Sequence, residues 1–126
     1  MKLFRKIERC FLMEDMIRAE ELIKQYQSVF VGTRGLDWQR YQAVWALWHA
    51  KQGASPRIVV QELEAALRIT MKGYQNGLPE NNKRLTFEEI AILNNIAVQY
   101  YRMGDRIRSL SYIAWLKEYF ERLKNG

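Results

Sequence analysis

Residues 85–117 decide the fold of this chain, and they read LTFEEIAILNNIAVQYYRMGDRIRSLSYIAWLK. Apolar residues recur at helical spacing on both sides of Gly104-Asp105, a pair that favours a turn. The stretch therefore predicts two antiparallel helices joined at this pair. Because a helix pair cannot bury its apolar face alone, further pairs must stack on it, and the first helix of each pair then lines a groove.

The spacing of small and large side chains in this stretch resembles that of the tetratricopeptide repeat, W-x2-L-G-x2-Y…A-x3-F. The matching positions are Leu93, Ile96, Ala97, Tyr100, Ser109 and Ile113. The resemblance implies a surface that binds another molecule, not a catalytic centre.

The rest of the chain carries the same period. Glu14-Asp15 and Gly53 mark two further hinges. From Glu14-Asp15 to Gly53 and from Gly53 to Gly104-Asp105 the separations are about 39 and 51 residues, against the usual 34 of the repeat. A helical stripe follows the first hinge and consists of Ala19, Leu22, Ile23 and Tyr26. We therefore predict one all-α domain over residues 1–126, with about six helices in antiparallel pairs stacked as a tetratricopeptide-like right-handed superhelix.

Several helix ends have a sequence signature. Thr86-Phe87-Glu88-Glu89 is a capping box, and Ser55-Pro56 has an N-cap residue followed by proline at the first helical position. Asp37 is the predicted N-cap of the third helix, after a turn at residues 31–35. The segment 73–84 has two Gly, one Pro and three Asn, which predicts the longest and most flexible connection.

Composition places the chain among ordinary globular proteins, with 126 residues, 48% of them hydrophobic and 27% charged. No apolar run approaches the roughly 18 residues that span a bilayer. The N-terminus also lacks the apolar core of a signal peptide. We therefore expect a cytoplasmic protein without a membrane partner.

The residues that carry enzyme chemistry are scarce. Cys10 is the one cysteine and His49 the one histidine, so a disulfide, a metal cluster or a catalytic triad has too few members. We interpret Cys10 as a core residue and His49 as packed beside Trp45 and Trp48. The sequence predicts no enzyme, no metal and no cofactor.

The net charge of +6 and the pI near 9.6 are compatible with a polyanionic partner. The basic residues concentrate only in the last third, at Arg102, Arg106, Arg108, Lys117, Arg122 and Lys124. We interpret them as a solvated face. The alternative is a C-terminal helix that binds nucleic acid with a steep salt dependence.

Residues 85–97, followed by Tyr100, Gly104-Asp105 and residues 116–119, resemble a more specific family. They are similar to the C-terminal sensor domains of bacterial helix-turn-helix (XRE) regulators of the Rgg and PlcR type. In that family an N-terminal DNA-binding domain precedes a tetratricopeptide-like domain, which dimerises and can bind a signalling peptide in its concave groove. The resemblance covers residues 85–119 in sequence pattern and nearly the whole chain in architecture.

The chain departs from that family because it has no helix-turn-helix domain, and its first repeat-like helix begins by about residue 3. The resemblance therefore implies a C-terminal fragment that forms a homodimer and reaches DNA only through a missing N-terminal domain. A stand-alone scaffold that binds a partner helix or tail is the competing hypothesis.

Repeat geometry also predicts which residues face the groove. In the fifth helix they are Ala91, Asn94, Val98, Tyr101 and Arg102. In the third helix, whose register is open by one residue, they are Arg40, Ala43, Leu47 and Lys51. An amide both donates and accepts, so Asn94 is suited to a peptide backbone, although an exposed or internally bonded role is an equal alternative. The cations of the third helix suit a peptide carboxylate.

Aromatic residues form a stripe along the third helix, at Trp38, Tyr41, Trp45 and Trp48. We interpret this stripe as core, since an apolar helical face is usually buried. The alternatives are an aromatic wall for a ligand and a dimer interface.

Overall fold

A computed structural model of the chain describes residues 2–28, 35–80 and 84–125. Helices make up most of these ranges, which contain no β-strand. The elements are α1 (Lys2–Leu12), α2 (Met16–Ser28), α3 (Leu36–Lys51), α4 (Pro56–Thr70), α5 (Phe87–Arg102) and α6 (Arg106–Asn125). The described residues thus confirm the predicted all-α class and the six helices.

The turns inside the three helix pairs share one hydrogen-bond pattern. At their centres Glu14, Gly53 and Gly104 have positive φ angles of 59°, 90° and 85°. Each donates its N–H to the carbonyl three residues earlier, and the following residue donates to the carbonyl five residues earlier. This is the Schellman motif, in which the left-handed residue lets the chain reverse. The loose repeat seen in the sequence is therefore also present in the backbone.

Contacts between the ends of the helices show that the second and third pairs are antiparallel. Gln39, at the start of α3, donates its side-chain amide to Thr70 Oγ1 at the end of α4, over 2.7 Å. Leu85, just before α5, donates its N–H to Tyr119 Oη late in α6, over 2.7 Å. The start of one helix thus meets the end of the next in both pairs.

Two groups of buried side chains hold the helices together. The first core joins α1, α2 and α3 and consists of Ile7, Leu22, Ile23, Tyr26, Tyr41 and Val44. The second core joins α3 to α6 and includes Ala46, Leu63, Leu67, Leu93 and Ile96. Because α3 contributes to both cores, it is the element that joins the first pair to the other two.

The aromatic stripe of α3 packs against the first core. Trp38, Trp45 and Trp48 are partly buried there, and Tyr41 is buried. Trp48 Nε1 also donates to the Met16 carbonyl at the start of α2, over 3.2 Å. The interpretation of the stripe as core is confirmed. Cys10, also placed in the core by the sequence, is partly buried against the same side chains.

The helix ends agree with the sequence only in part. The capping box of α5 is present, with Glu89 N–H donating to Thr86 Oγ1 and Thr86 N–H donating to Glu89 Oε1. Asp37 is not the N-cap of α3, because the helix already begins at Leu36 after Gly35. Its carboxylate instead lies in the first turn, where the helix dipole favours an anion. Of the predicted turn at residues 31–35, all but Gly35 lies outside the described residues.

The described residues between α4 and α5 fold back onto the second core. Tyr74 and Leu85 are buried members of that core, and Pro79 is buried as well. Tyr74 Oη donates to the Gly77 carbonyl over 2.8 Å, which closes the segment on itself. In the described part of this segment, Gly73, Asn76 and Gly77 therefore lie beside a small number of anchoring side chains.

Tyr119→Phe is expected to lower the free energy of unfolding by about 1–2 kcal/mol, because it leaves the buried Leu85 N–H without an acceptor. Urea titration followed by circular dichroism measures this change. Tyr101→Phe serves as the matched control, because that side chain is 60% exposed and should change stability by less than about 0.5 kcal/mol. Equal effects at the two tyrosines would contradict the assigned hydrogen bond.

Candidate functional site

A groove of about 430 Å³ lies between α1, α3 and α5, which are the first helices of the three pairs. This volume is in the range of small-ligand sites. Near the starts of the three helices, the Arg40 guanidinium of α3 lies 4.9 Å from the ring centre of Phe4 in α1 and forms an ion pair with Glu88 of α5. The three helices therefore line the groove side by side.

Four of the residues predicted to bind a ligand line this groove. Leu47 and Lys51 contribute from α3, and Val98 and Arg102 contribute from α5. Lys51 and Arg102 are the last residues of their helices, so both cations lie toward the same end of the groove. Phe11 and Leu12 of α1 add apolar surface opposite them. This end of the groove is both apolar and positively charged.

Arg40 has a different environment from the one the sequence predicted. Its Nε donates to Glu88 Oε1 over 3.0 Å, and the two side chains are only 18% and 14% exposed. The ion pair connects α3 to α5 beside Phe4. Arg40 therefore lies next to the groove and helps to hold its walls together. Glu88, interpreted from the sequence as a helix-dipole residue, is also the partner of this arginine.

The other predicted residues of α5 lie outside the groove. Asn94 borders a separate surface depression between α5 and α6, with Ile113 and Phe120. Tyr101 is exposed, and the Arg106 guanidinium lies over its ring at 5.7 Å. The Ala91 carbonyl accepts a hydrogen bond from the Asn95 amide over 2.9 Å. The groove face of α5 is thus rotated from the predicted face by about one residue.

Two amide residues that the sequence analysis did not select lie in the groove. Asn95 and Gln99 both line it, together with Val98 and Arg102. These four positions have the spacing i, i+3, i+4, i+7, so they form one helical stripe. The sequence contained a signal for this stripe, because its polar members border the apolar face of α5. Repeat geometry alone did not show which residues of α5 face the groove. The same shift is seen in α3, where Val44 lines the groove and the predicted Ala43 packs against the second core.

Gln99 combines burial with an unused acceptor. The residue is 2% exposed, and its Oε1 has no hydrogen-bond partner among the described residues. An unpaired buried polar group costs about 1–3 kcal/mol, so most such groups in native proteins have a partner. A donor in the groove removes this cost when the Gln99 side chain turns toward it, since Oε1 itself is not exposed to solvent.

A buried polar network fixes the helices that carry the groove. The Gln39 amide donates to the Ala66 carbonyl over 3.1 Å and to Thr70 Oγ1. Thr70 Oγ1 in turn donates to Glu89 Oε2 over 2.8 Å. The network therefore links α3, α4 and the start of α5. These bonds tie α3 to α4 and to the start of α5, although the Gln39 Oε1 has no hydrogen-bond partner among the described residues.

His49 packs beside the two tryptophans that the sequence predicted. Its ring stacks on Trp45 at 5.8 Å and meets Trp48 edge-on. Its Nδ1 also lies 2.9 Å from a carboxylate oxygen of Glu62 in α4, a partner that sequence spacing did not reveal. Within residues 2–28, 35–80 and 84–125, no group of three or more His, Cys, Asp or Glu side chains is placed to hold a metal ion.

The groove thus offers apolar contacts, amide hydrogen bonds and two cations.

In the part of the chain that the structure describes, no helix has both the length and the apolar character needed to cross a membrane. No protein-family model, curated protein or solved structure matches this chain.

Proposed function

We propose that this chain is a peptide-binding regulatory domain and that an extended peptide segment occupies the groove between α1, α3 and α5. The Gln99 amide carries the proposal, because its Oε1 has no partner and accepts an N–H of a peptide backbone once the side chain turns toward the groove. Asn95, one turn earlier on the same stripe, adds a second amide. Backbone recognition of this kind does not depend on the side chains of the peptide.

The remaining groove residues define the preferred peptide. Phe11, Leu47 and Val98 favour apolar side chains. Lys51 and Arg102 favour a carboxylate at one end, either the C-terminus of the peptide or an acidic side chain. Glu8 of α1 also lines the groove and disfavours a strongly acidic peptide along its whole length. The expected ligand is therefore a short apolar segment with one terminal negative charge.

Peptides selected from a random library on the wild-type protein should bind Gln99→Leu about tenfold or more weakly. The substitution removes the acceptor for the backbone N–H, and a lost hydrogen bond of this strength corresponds to about a factor of ten. Fluorescence anisotropy of labelled peptides gives the dissociation constants. Since leucine removes an unpaired polar atom, Gln99→Leu should be at least as stable as the wild type.

Asn94→Ala and Tyr101→Ala are the controls, because both residues belong to α5 and lie outside the groove. The selected peptides should bind these variants with unchanged affinity. Lys51→Gln together with Arg102→Gln should weaken only peptides that carry a terminal negative charge. Peptides that bind Gln99→Leu as tightly as the wild type would place their site elsewhere and overturn the proposal.

The regulatory part of the proposal rests on the resemblance of residues 85–119 to sensor domains of helix-turn-helix regulators. It includes a homodimer, for which the exposed Ile107 and Leu110 of α6 provide apolar surface. The intact mass of the protein in its source cells tests the regulator directly. A mass above 15.1 kDa by one small domain, on the order of 60 residues or more, supports it. A mass of 15.1 kDa supports the stand-alone scaffold instead.

A further inference from the structure

A second cavity lies on the second helices of the pairs, away from the peptide groove. It measures about 600 Å³ and is bounded by α4, the segment 76–78, the end of α5 and the first half of α6. The segment that interrupts the repeat spacing forms one wall, where Tyr74 Oη holds the Gly77 carbonyl. The cavity therefore exists because of the insertion between the second and third helix pairs.

Glu64 of α4 lines this cavity and is only 8% exposed. Burial raises the pKa of its carboxyl, and the Gly77 N–H and the charge of Arg68 offset that rise only in part. A buried carboxylate is stabilised when a cationic donor reaches it. The cavity places this carboxylate where a ligand can supply such a donor.

Tyr112 of α6 also lines this cavity. The residue is 3% exposed, and its ring lies 5.6 Å from that of Tyr100. Its Oη is not exposed to solvent and lies among the side chains of Tyr74 and Tyr100. This hydroxyl and the Glu64 carboxylate both belong to side chains that line the cavity.

The rim of the cavity is positively charged. Arg57, one residue into α4, and Arg108, near the start of α6, both line it and are exposed. The Arg108 guanidinium lies 5.6 Å from the ring centre of Tyr100 and 3.6 Å from Asp105. Guanidinium groups bind carboxylates through paired hydrogen bonds. The cavity thus has a buried anion inside and cations at its mouth.

The rest of the lining is mixed, because Gln61, Asn76 and Ser111 are polar and Val60, Leu78 and Met103 are apolar. Val60 is buried, whereas Leu78 and Met103 are 44% and 38% exposed beside the cavity. A ligand that covers Leu78 and Met103 would remove apolar surface from water. The walls therefore match a small molecule with an ammonium group, a carboxylate and an apolar substituent.

We propose that this cavity binds a free amino acid as a zwitterion, with its ammonium group against Glu64 and its carboxylate against Arg57 and Arg108. A purely anionic ligand fits less well, because the Glu64 carboxylate would repel it. A purely cationic ligand makes no contact with the two arginines at the mouth of the cavity. The zwitterion pairs with both sets of charges and leaves its side chain for Leu78 and Met103.

The experiment is a thermal-shift screen of the whole protein with each standard amino acid at millimolar concentration. At least one amino acid with an apolar side chain should raise Tm, and calorimetry then gives its dissociation constant. Two analogues of that amino acid follow, one without the ammonium group and one without the carboxylate. Each should bind about tenfold or more weakly, since each loses one charge-assisted contact.

Glu64→Gln should weaken binding of the same amino acid by about tenfold or more. It should also raise Tm of the ligand-free protein at pH 7. The sign follows from the raised pKa, because the folded state disfavours the charged carboxylate, and this cost disappears as the pH falls below the pKa. A higher Tm with weaker binding separates loss of the site from loss of the fold.

Glu62→Gln is the matched control, because Glu62 belongs to the same helix and instead pairs with His49. It should change the affinity by less than about twofold. The proposal is overturned if no amino acid raises Tm. It is equally overturned if the analogue without the ammonium group binds as tightly as the amino acid, or if Glu64→Gln leaves the affinity unchanged.

Discussion

Arg40→Met is expected to lower the free energy of unfolding by about 3 kcal/mol, because it leaves the Glu88 carboxylate largely buried without its cation. The side chains are 18% and 14% exposed, so water compensates the lost charge only in part. The guanidinium also covers the ring of Phe4, and methionine replaces part of that contact. Urea titration at pH 7 measures the change.

The double variant Arg40→Met with Glu88→Met should recover most of that loss. Two apolar side chains that replace a buried ion pair are often neutral or stabilising, whereas removal of one partner is costly. Arg18→Met is the surface control, since its pair with Glu21 is more than half exposed and should contribute less than about 1 kcal/mol. If the double variant is less stable than Arg40→Met alone, the two residues do not form the pair described.

Glu89→Ala is expected to lower the free energy of unfolding by about 2–4 kcal/mol, through the loss of the helix cap and of a buried acceptor. The carboxylate of Glu89 accepts from Thr86 N–H and from Thr70 Oγ1, and the residue is 5% exposed. Its removal leaves both donors unpaired. Because the network also holds Gln39, the orientation of α3 relative to α5 should loosen.

Glu89→Gln should have an intermediate effect, because the amide oxygen can still accept from Thr86 N–H while the amide nitrogen cannot accept from Thr70. Glu20→Ala is a control on the surface of α2, where the carboxylate lies 3.9 Å from Lys24, and it should change stability by less than about 0.5 kcal/mol. Hydrogen exchange of the first turn of α5 reports the cap directly. Equal protection in Glu89→Ala and the wild type would show that the cap contributes nothing.

Local patterns determined most of the secondary structure. The stripe Ala19, Leu22, Ile23 and Tyr26 is buried as its period predicts. The capping box at Thr86 is also present, because it requires only residues within one turn of a helix. Gly53 and Gly104 have the positive φ angles that end a helix. In each of these cases the interacting residues are neighbours in sequence.

The groove was predictable in outline but not in register. Leu47, Lys51, Val98 and Arg102 were selected and line it, whereas Asn94 was selected and Asn95 lies there instead. Adjacent helical residues differ by about 100° around the axis, so a small rotation of α5 exchanges them. That rotation is set by how α5 packs on α3 and α4, which local periodicity does not encode.

The sequence by itself therefore determined the six helices, the turns at Glu14, Gly53 and Gly104 and the existence of pairs, because these depend on local periodicity and on backbone preferences. Only the tertiary structure decided the partners that lie far apart in the chain. Arg40 with Glu88, Gln39 with Thr70, and His49 with Glu62 are such pairs. The tertiary structure also left Gln99 without a partner, because burial and hydrogen bonding depend on which helices meet.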